Sequence, residues 1–291
     1  MTELPHGITR TETNGATTWD IDLPTCTGRI HQTGATITSF APRSQDDALF
    51  QSPHAARTPG RAIRGGIPLC APWFGPGRGG YPVPNPHGFL RTLPWRLTHA
   101  TRTGDEARLV LTPDPDDTAT QRRPDNVPDD LTFELAVTFG ATLDVELAIT
   151  SPTRDTLIDA ALHTYLAVRD AATSSITGLE GAPLIDKVTG QTRTQHGRLT
   201  FTGETDLVFD TTATVHLDDG RRRITIARRN SANIIVWNPW ADKAATMADL
   251  QDAWPRFICV EAGNVLRAPM AIPAGGRAAF ATTISVEDRP G

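Results

Sequence analysis

Period-two alternation of apolar and polar residues dominates this chain. Thr17 to Leu23 alternates, and Arg29 to Phe40 is rich in Ile and Thr, which suit a pleated, half-buried surface. Three pairs of such runs flank turn signals. Trp95 to Thr101 and Glu106 to Leu111 flank Gly104-Asp105. Leu131 to Phe139 and Thr142 to Thr150 flank Gly140. Thr214 to Leu217 and Arg222 to Ala227 flank Asp218-Asp219-Gly220. Each pattern predicts a hairpin. Further strands are predicted at Asn233 to Trp237, Arg256 to Val260, Pro269 to Ile272 and Arg277 to Val286, with Gly275-Gly276 turning the last pair. No long helical period is found. Ala244 to Trp254 is the best short-helix segment, and the acidic, proline-containing Asp114 to Asp130 reads as a surface loop. Many short strands broken by Gly, Pro and Asp predict an all-β fold, a large antiparallel β-sandwich with few short helices. No internal repeat or linker is evident, so residues 1–291 are expected to form a single domain.

Two polar placements break this pattern. Phe257-Ile258-Cys259-Val260 reads as a buried strand, yet Glu261 follows directly, before a Gly263-Asn264 turn signal. A carboxylate there builds core poorly, but it can be held rigidly at the mouth of a pocket. His163 likewise interrupts the mostly apolar run from Ile158 to Val168. A strand-borne His and a strand-borne Glu are the minimum set for concerted acid–base chemistry. The competing readings are a core histidine with its bonds satisfied, and a Glu paired with an Arg at a sheet edge. Asp206 adds an acidic group ahead of the apolar Leu207-Val208-Phe209.

The segment from Ile63 to Arg91 is dense in Gly, Pro and aromatics, and long irregular loops of this kind are more often functional than decorative. Arg64 precedes two glycines that allow close backbone approach, and His87 and Arg91 bracket Gly88-Phe89. Arginines near an acid–base pair suit an anionic substrate group, because the planar guanidinium binds phosphate bidentately.

Composition narrows the alternatives. A formal net charge of −5 over 291 residues gives no sign of a nucleic-acid surface or a polybasic membrane surface. No run of about eighteen apolar residues suggests a membrane span. The N-terminus lacks a basic stretch followed by an apolar one, so the cytoplasm is the default compartment. Cys26, Cys70 and Cys259 are too scattered for a disulfide framework. The histidines form neither an HxH nor an HxxxH pair, so no metal and no cofactor is expected. Gly75 to Gly80 lacks the GK[ST] of a phosphate loop, and no GxSxG marks a serine nucleophile. Lysine is nearly absent, occurring only at Lys187 and Lys243, so both stand out among many arginines. Trp237 and Trp240 could offer a stacking face for a ring or simply fill core.

Seven segments then carry a resemblance: IRGGIPLCAPWFG, PHGFLRTLPWRL, ALHTYLAV, GLEGAPLIDKV, GETDLVF, IIVWNPWADKAATMADL and FICVEAGNV. In this order, from Ile63 to Val265, the chain resembles the hexose-6-phosphate mutarotase (glucose-6-phosphate 1-epimerase) branch of the aldose 1-epimerase superfamily, with its galactose mutarotase-like β-sandwich. The resemblance implies that His163 is the general acid and Glu261 the general base in interconverting the anomers of a hexose 6-phosphate. It implies that Arg64 and Arg91 contact the substrate, with phosphate as their target. Asp206 would bind sugar hydroxyls, and His87 would line the sugar site. It implies a small-molecule phosphosugar as the partner, and nothing demands more than a monomer. Three positions depart from the family pattern. Pro86 replaces an amide residue, Ala71 an aromatic, and Leu166 another aromatic, and these changes are expected to reshape the sugar pocket. The alternatives are an aldose 1-epimerase for unphosphorylated sugars and a non-catalytic carbohydrate-binding sandwich.

Overall fold

The computed structural model describes residues 4–13, 15–55, 58, 60–78 and 83–289. Its largest sheet is built from the hairpins that alternation marks. Nine antiparallel strands run in the spatial order 199–200, 175–177, 215–218, 222–229, 276–288, 143–151, 132–139, 106–113, 95–103. Register lines up one apolar row across it: Phe280 opposite Leu147, Leu147 opposite Leu135, and Leu135 opposite Leu111. All four side chains are buried in the main core. Such burial stabilises by about 1.5–3 kcal/mol for each large apolar side chain, which holds the register of the whole row.

Facing it is an eight-stranded sheet in the order 192–194, 183–186, 205–210, 233–238, 257–264, 160–162, 69–70, with 165–167 also paired to 257–264. One face of this second sheet, through Leu207, Ile234, Val236, Ile258, Val260 and Ala262, enters the main core. The other face carries two smaller apolar clusters. One contains Tyr165, Phe257 and Cys259, and the other contains Phe74, Val208 and Ile235. Both faces are therefore apolar over much of their area, which explains the lack of alternation in these strands. A four-stranded N-terminal meander, Ile8–Thr13 to Thr36–Pro42, and a two-stranded ribbon of Thr156–Ile158 with Met270–Ile272 complete the β-structure.

Several sequence expectations are corrected. Arg29 to Phe40 is two strands, Cys26–His31 and Thr36–Pro42, separated by a turn. The strand at Phe257–Asn264 does not turn after Glu261 but continues through Gly263 and Asn264. The reason is local: Ser231 Oγ accepts from Gly263 N, and the Asn264 side chain bonds the backbone of Asn230 and Ala232. Ile158 to Val168 is three short strands, and His163 falls in a break between Ala160–Leu162 and Tyr165–Ala167. Asp206 lies within its strand, Thr205–Asp210, and not before it. Met270–Ile272 pairs with Thr156–Ile158 and not with the last strand. The helix expected at Ala244 to Trp254 occurs as Trp240–Ala245 plus a 3-10 turn at Gln251–Arg256. Asp114 to Asp130 contains one short helix, Pro115–Ala119, capped by Asp114. Of the irregular segment, residues 79–82 lie outside the described residues.

Candidate active site

Antiparallel register creates the centre of the site. Leu162 pairs with Ala262 and Tyr165 with Cys259, so the same register on both sides of the break sets His163 opposite Glu261. The break itself is filled by the adjoining segment, residues 66–68. His163 N donates to Pro68 O at 2.9 Å, and Tyr165 N donates to Gly66 O at 2.9 Å. Gly66 can run this close only without a side chain: its φ is +66°, and an added Cβ would lie 2.1 Å from Ile37 O. This backbone path delivers Arg64 next to Tyr165.

His163 Nδ1 lies 3.4 Å from Glu261 Oε1. The residues are 7 % and 1 % exposed. The distance is within ion-pair reach, but the atoms are not aligned as a hydrogen bond, and His163 Nδ1 and Glu261 Oε2 have no hydrogen-bond partner among the described residues. Burial pushes the Glu261 carboxyl well above the ordinary carboxylate range. Asp206 adds to the rise, while Lys187 and Arg91 oppose it. Burial holds the His163 imidazole well below its usual value, and His87, Arg91 and Arg64 push the same way. Burial thus favours the neutral form of both groups. The imidazole stacks on Tyr165, with centroids 4.9 Å apart, and meets Trp237 edge-on at 5.9 Å.

Around the pair is a cavity of about 320 Å³, lined in part by Arg64, His87, Arg91, Asp206, His163 and Glu261. All six residues singled out in the sequence thus meet there, although nearly 200 positions separate the first from the last. Arg64 donates from Nε to Asp249 Oδ2 at 3.0 Å and from a terminal nitrogen to the Tyr165 hydroxyl at 2.9 Å. Burial acts against its charge, but Tyr165 and Asp249 outweigh that and raise its pKa. Arg91 donates to Pro86 O at 2.8 Å and has no acidic partner among the described residues. His87 adopts a left-handed φ of +64° and accepts from Gly75 N at 3.3 Å. Its pKa is lowered to about 3, first by burial and then by Arg91, Lys187 and Arg64, so it stays neutral. Asp206 is paired with Lys187 at 3.0 Å.

Further lining residues were not selected as site residues from the sequence: Phe74, Lys187, Ile235, Lys243 and Met247. Both lysines of the chain are thus at the cavity. Their scarcity was the only signal pointing to them. Lys243 pairs with Glu204, and Lys187 sits 5.5 Å from the Phe74 ring centroid. The two tryptophans divide: Trp237 lines the cavity, whereas Trp240 packs on Trp254 and against the core. Two of the three departures fall away from the pocket. Leu166 and Ala71 are buried in the main core, and only Pro86 lines the cavity. A cleft of about 380 Å³ elsewhere, near Phe50 and Arg222, holds no acid–base pair, and Arg222 there is committed to the carbonyls of Asp46, Asp47 and Ala167.

Sequence spacing concealed one feature. His163, Cys259 and Glu261 form a buried group whose ligand atoms all lie within 4.8 Å of one another. For proton chemistry the arrangement offers a carboxyl and an imidazole side by side in a cavity that is also lined by Arg64, Arg91, Lys187 and Lys243.

Comparison with known proteins identifies the family and the fold. The aldose 1-epimerase family matches residues 20–285. A protein of Escherichia coli (strain K12) named "Putative glucose-6-phosphate 1-epimerase" is 31% identical over 248 residues, covering 83% of this chain and 81% of that one. A protein of the same name from Cenchrus ciliaris is 28% identical over 285 residues, covering 91% and 81%. The crystal structure of a "putative mutarotase" from Salmonella typhimurium superposes with a TM-score of 0.87 at 27% identity, covering 99% of this chain and 96% of that one. In fold alone, the galactose 1-epimerase of Lactobacillus acidophilus NCFM is also similar, with a TM-score of 0.69 at 12% identity, covering 99% and 100%. The chain belongs to the aldose 1-epimerase family and has its galactose mutarotase-like antiparallel β-sandwich.

Proposed function

We propose that this chain interconverts the α and β anomers of a hexose 6-phosphate, with glucose 6-phosphate as the first substrate to test. The observation that carries the reading is the buried His163–Glu261 pair, 3.4 Å apart, inside a cavity also lined by Arg64, Arg91, Lys187 and Lys243. The names of the relatives at about 30% identity support the phosphosugar.

In this reading the pair works as carboxylate and imidazolium when the ring is closed. Glu261 takes the proton from the anomeric hydroxyl, the bond between C1 and the ring oxygen breaks, and His163 gives its proton to that oxygen. The products are an open aldehyde, a neutral carboxyl and a neutral imidazole. Rotation about C1–C2 turns the other carbonyl face inward. Closure then reverses both transfers and restores the starting protonation. One proton stays with the pair throughout; burial favours the neutral pair reached when the ring opens, while Lys187 and Arg91 act toward the carboxylate needed when it is closed. Asp206, held by Lys187, accepts from sugar hydroxyls, and neutral His87 lines the ring site. Arg91, which has no carboxylate partner among the described residues, meets the phosphate, with Arg64 also lining the cavity.

One observation favours a second reading, an aldose 1-epimerase for unphosphorylated sugars. Arg64, Lys187 and Lys243 already have partners in Asp249, Asp206 and Glu204. NMR exchange between the anomers of glucose 6-phosphate, run beside free glucose, separates the readings. Accelerated exchange of the phosphate alone is the expected outcome. Acceleration of glucose alone would transfer the assignment to the second reading. Acceleration of neither, in folded protein, would point to another sugar or to a non-catalytic carbohydrate binder.

A further inference from the structure

We propose that Cys259 joins His163 and Glu261 in a site for a borderline-soft divalent cation such as Zn²⁺, and that filling this site shuts the acid–base pair down. Cys259 lies two residues before Glu261 on one strand, so both side chains share the sheet face that carries the cavity. Tyr165 lies opposite Cys259, and the register that sets this pair places His163 opposite Glu261. The three ligand atoms lie within 4.8 Å of one another.

A lone buried thiol would prove nothing. Here it is grouped with two residues that each carry a buried polar atom, His163 Nδ1 and Glu261 Oε2, without a hydrogen-bond partner among the described residues. Unpaired buried polar atoms are costly, and a cation would satisfy both together. His163 and Glu261 line the cavity, which provides the way in, and fully buried Cys259 closes the site from below. Zinc bonds of about 2.0–2.3 Å require donor separations of about 3.3–3.8 Å, so the side chains close in by about an ångström. One imidazole, one thiolate and one carboxylate are three protein ligands, with water as the fourth. This donor set suits Zn²⁺ or Co²⁺ and is a poor match for Mg²⁺, which wants oxygen throughout.

Binding forms a metal–sulfur bond and sends the Cys259 thiol proton, together with the proton held by the pair, into solvent. No oxidation or reduction occurs. Metal and sugar then compete, because the lone pairs that move protons are occupied. This inhibitory part rests on the proposed mutarotase reading, whereas the binding part does not.

The test adds Co²⁺ to the full chain after treatment with a chelator. Wild type is expected to show a thiolate-to-cobalt charge-transfer absorption that Zn²⁺ displaces. Cys259→Ala is expected to lack the band, and Cys26→Ala and Cys70→Ala to keep it. Anomer exchange should be inhibited by Zn²⁺ competitively with the sugar and not by Mg²⁺. In Cys259→Ala, inhibition should be weaker by at least about 10-fold, the cost of losing even an outer-sphere partner of a metal site. Cys259→Ser gives the same spectroscopic reading if the alanine variant fails to fold. Absence of the band in wild type, or equal Zn²⁺ inhibition in wild type and Cys259→Ala, overturns the proposal. A wild-type band in a protein that exchanges no sugar anomers would uphold the metal site and reject the reading of its activity.

Discussion

At Glu261, chemistry and stability pull in opposite directions. Burial holds the carboxyl's proton tightly in the folded chain, whereas in the unfolded chain it is released near the ordinary value of 4.5. Between that value and the folded pKa, the folded state binds more protons. The stability associated with this group is therefore fully present below about pH 4.5 and is lost as pH rises through the folded pKa, at up to about 1.4 kcal/mol per pH unit. Glu261→Gln, assayed with a chelator present, should lower kcat by at least about 10²-fold and gain stability over wild type progressively above that pH. His163→Asn should lose kcat similarly. Denaturant midpoints at a series of pH values test the first statement, and a pH-independent difference would show that the carboxyl is not held protonated. These two residues were legible in the sequence because each is a polar interruption of an apolar run. Lys187 and Lys243 were harder, since a lysine in a polar stretch reads as surface and only its rarity here set it apart. The misplacement of Leu166 and Ala71 has a simple cause: one residue along a strand changes the face, and sequence alone did not assign the faces.

Among the elements, the long hairpins could be read directly and the short strands could not. Trp95–Thr103 with Glu106–Pro113 alternates over much of its length, with one register shift between Leu97 and His99, but Leu69–Cys70, Ala160–Leu162 and Tyr165–Ala167 are too short to show a period, and both faces of their sheet are largely apolar. The site is built on these short pieces, so its parts were visible in the sequence while its framework was not. The turn before Leu90–Thr92 illustrates how tightly the framework holds them. Gly88 has a φ of +69°, and a Cβ there would lie 1.9 Å from Ala71 O. Its neighbours in sequence are His87, itself left-handed, and, after Phe89 and Leu90, Arg91. Gly88→Ala should cost more than about 1 kcal/mol and disturb both cavity residues, so a lower Tm should accompany a higher KM for the phosphosugar. An unchanged Tm would mean that the turn is far more yielding than its contacts indicate.

For the whole molecule, a net charge of −5 surrounds a cavity lined by four cationic side chains. A local field opposed to the global one should make anion binding depend on Arg91 in particular. Arg91→Met should raise KM for a hexose 6-phosphate well above any change for the free sugar, and the difference should shrink with added salt. Equal effects on both sugars would remove the phosphate role. Stability and chemistry are separable at this scale. Gly28 in the N-terminal meander packs against Phe139 of the nine-stranded sheet, where a Cβ would lie 2.3 Å from the ring, and neither residue lines the cavity. Gly28→Val should therefore cost about 1–3 kcal/mol through overpacking, yet leave kcat unchanged well below its melting temperature. The cross-strand placement of His163 and Glu261 has one more consequence. Their spacing is set by the ladder on either side of the break and by Gly66 and Pro68, which hold the break itself, so it is inherited with the sheet and this one adjoining stretch. On the proposed reading, diversification toward new sugars, in evolution or in the laboratory, has its freedom in residues 240–250 and in the parts of 63–91 away from Gly66, Pro68 and Gly88.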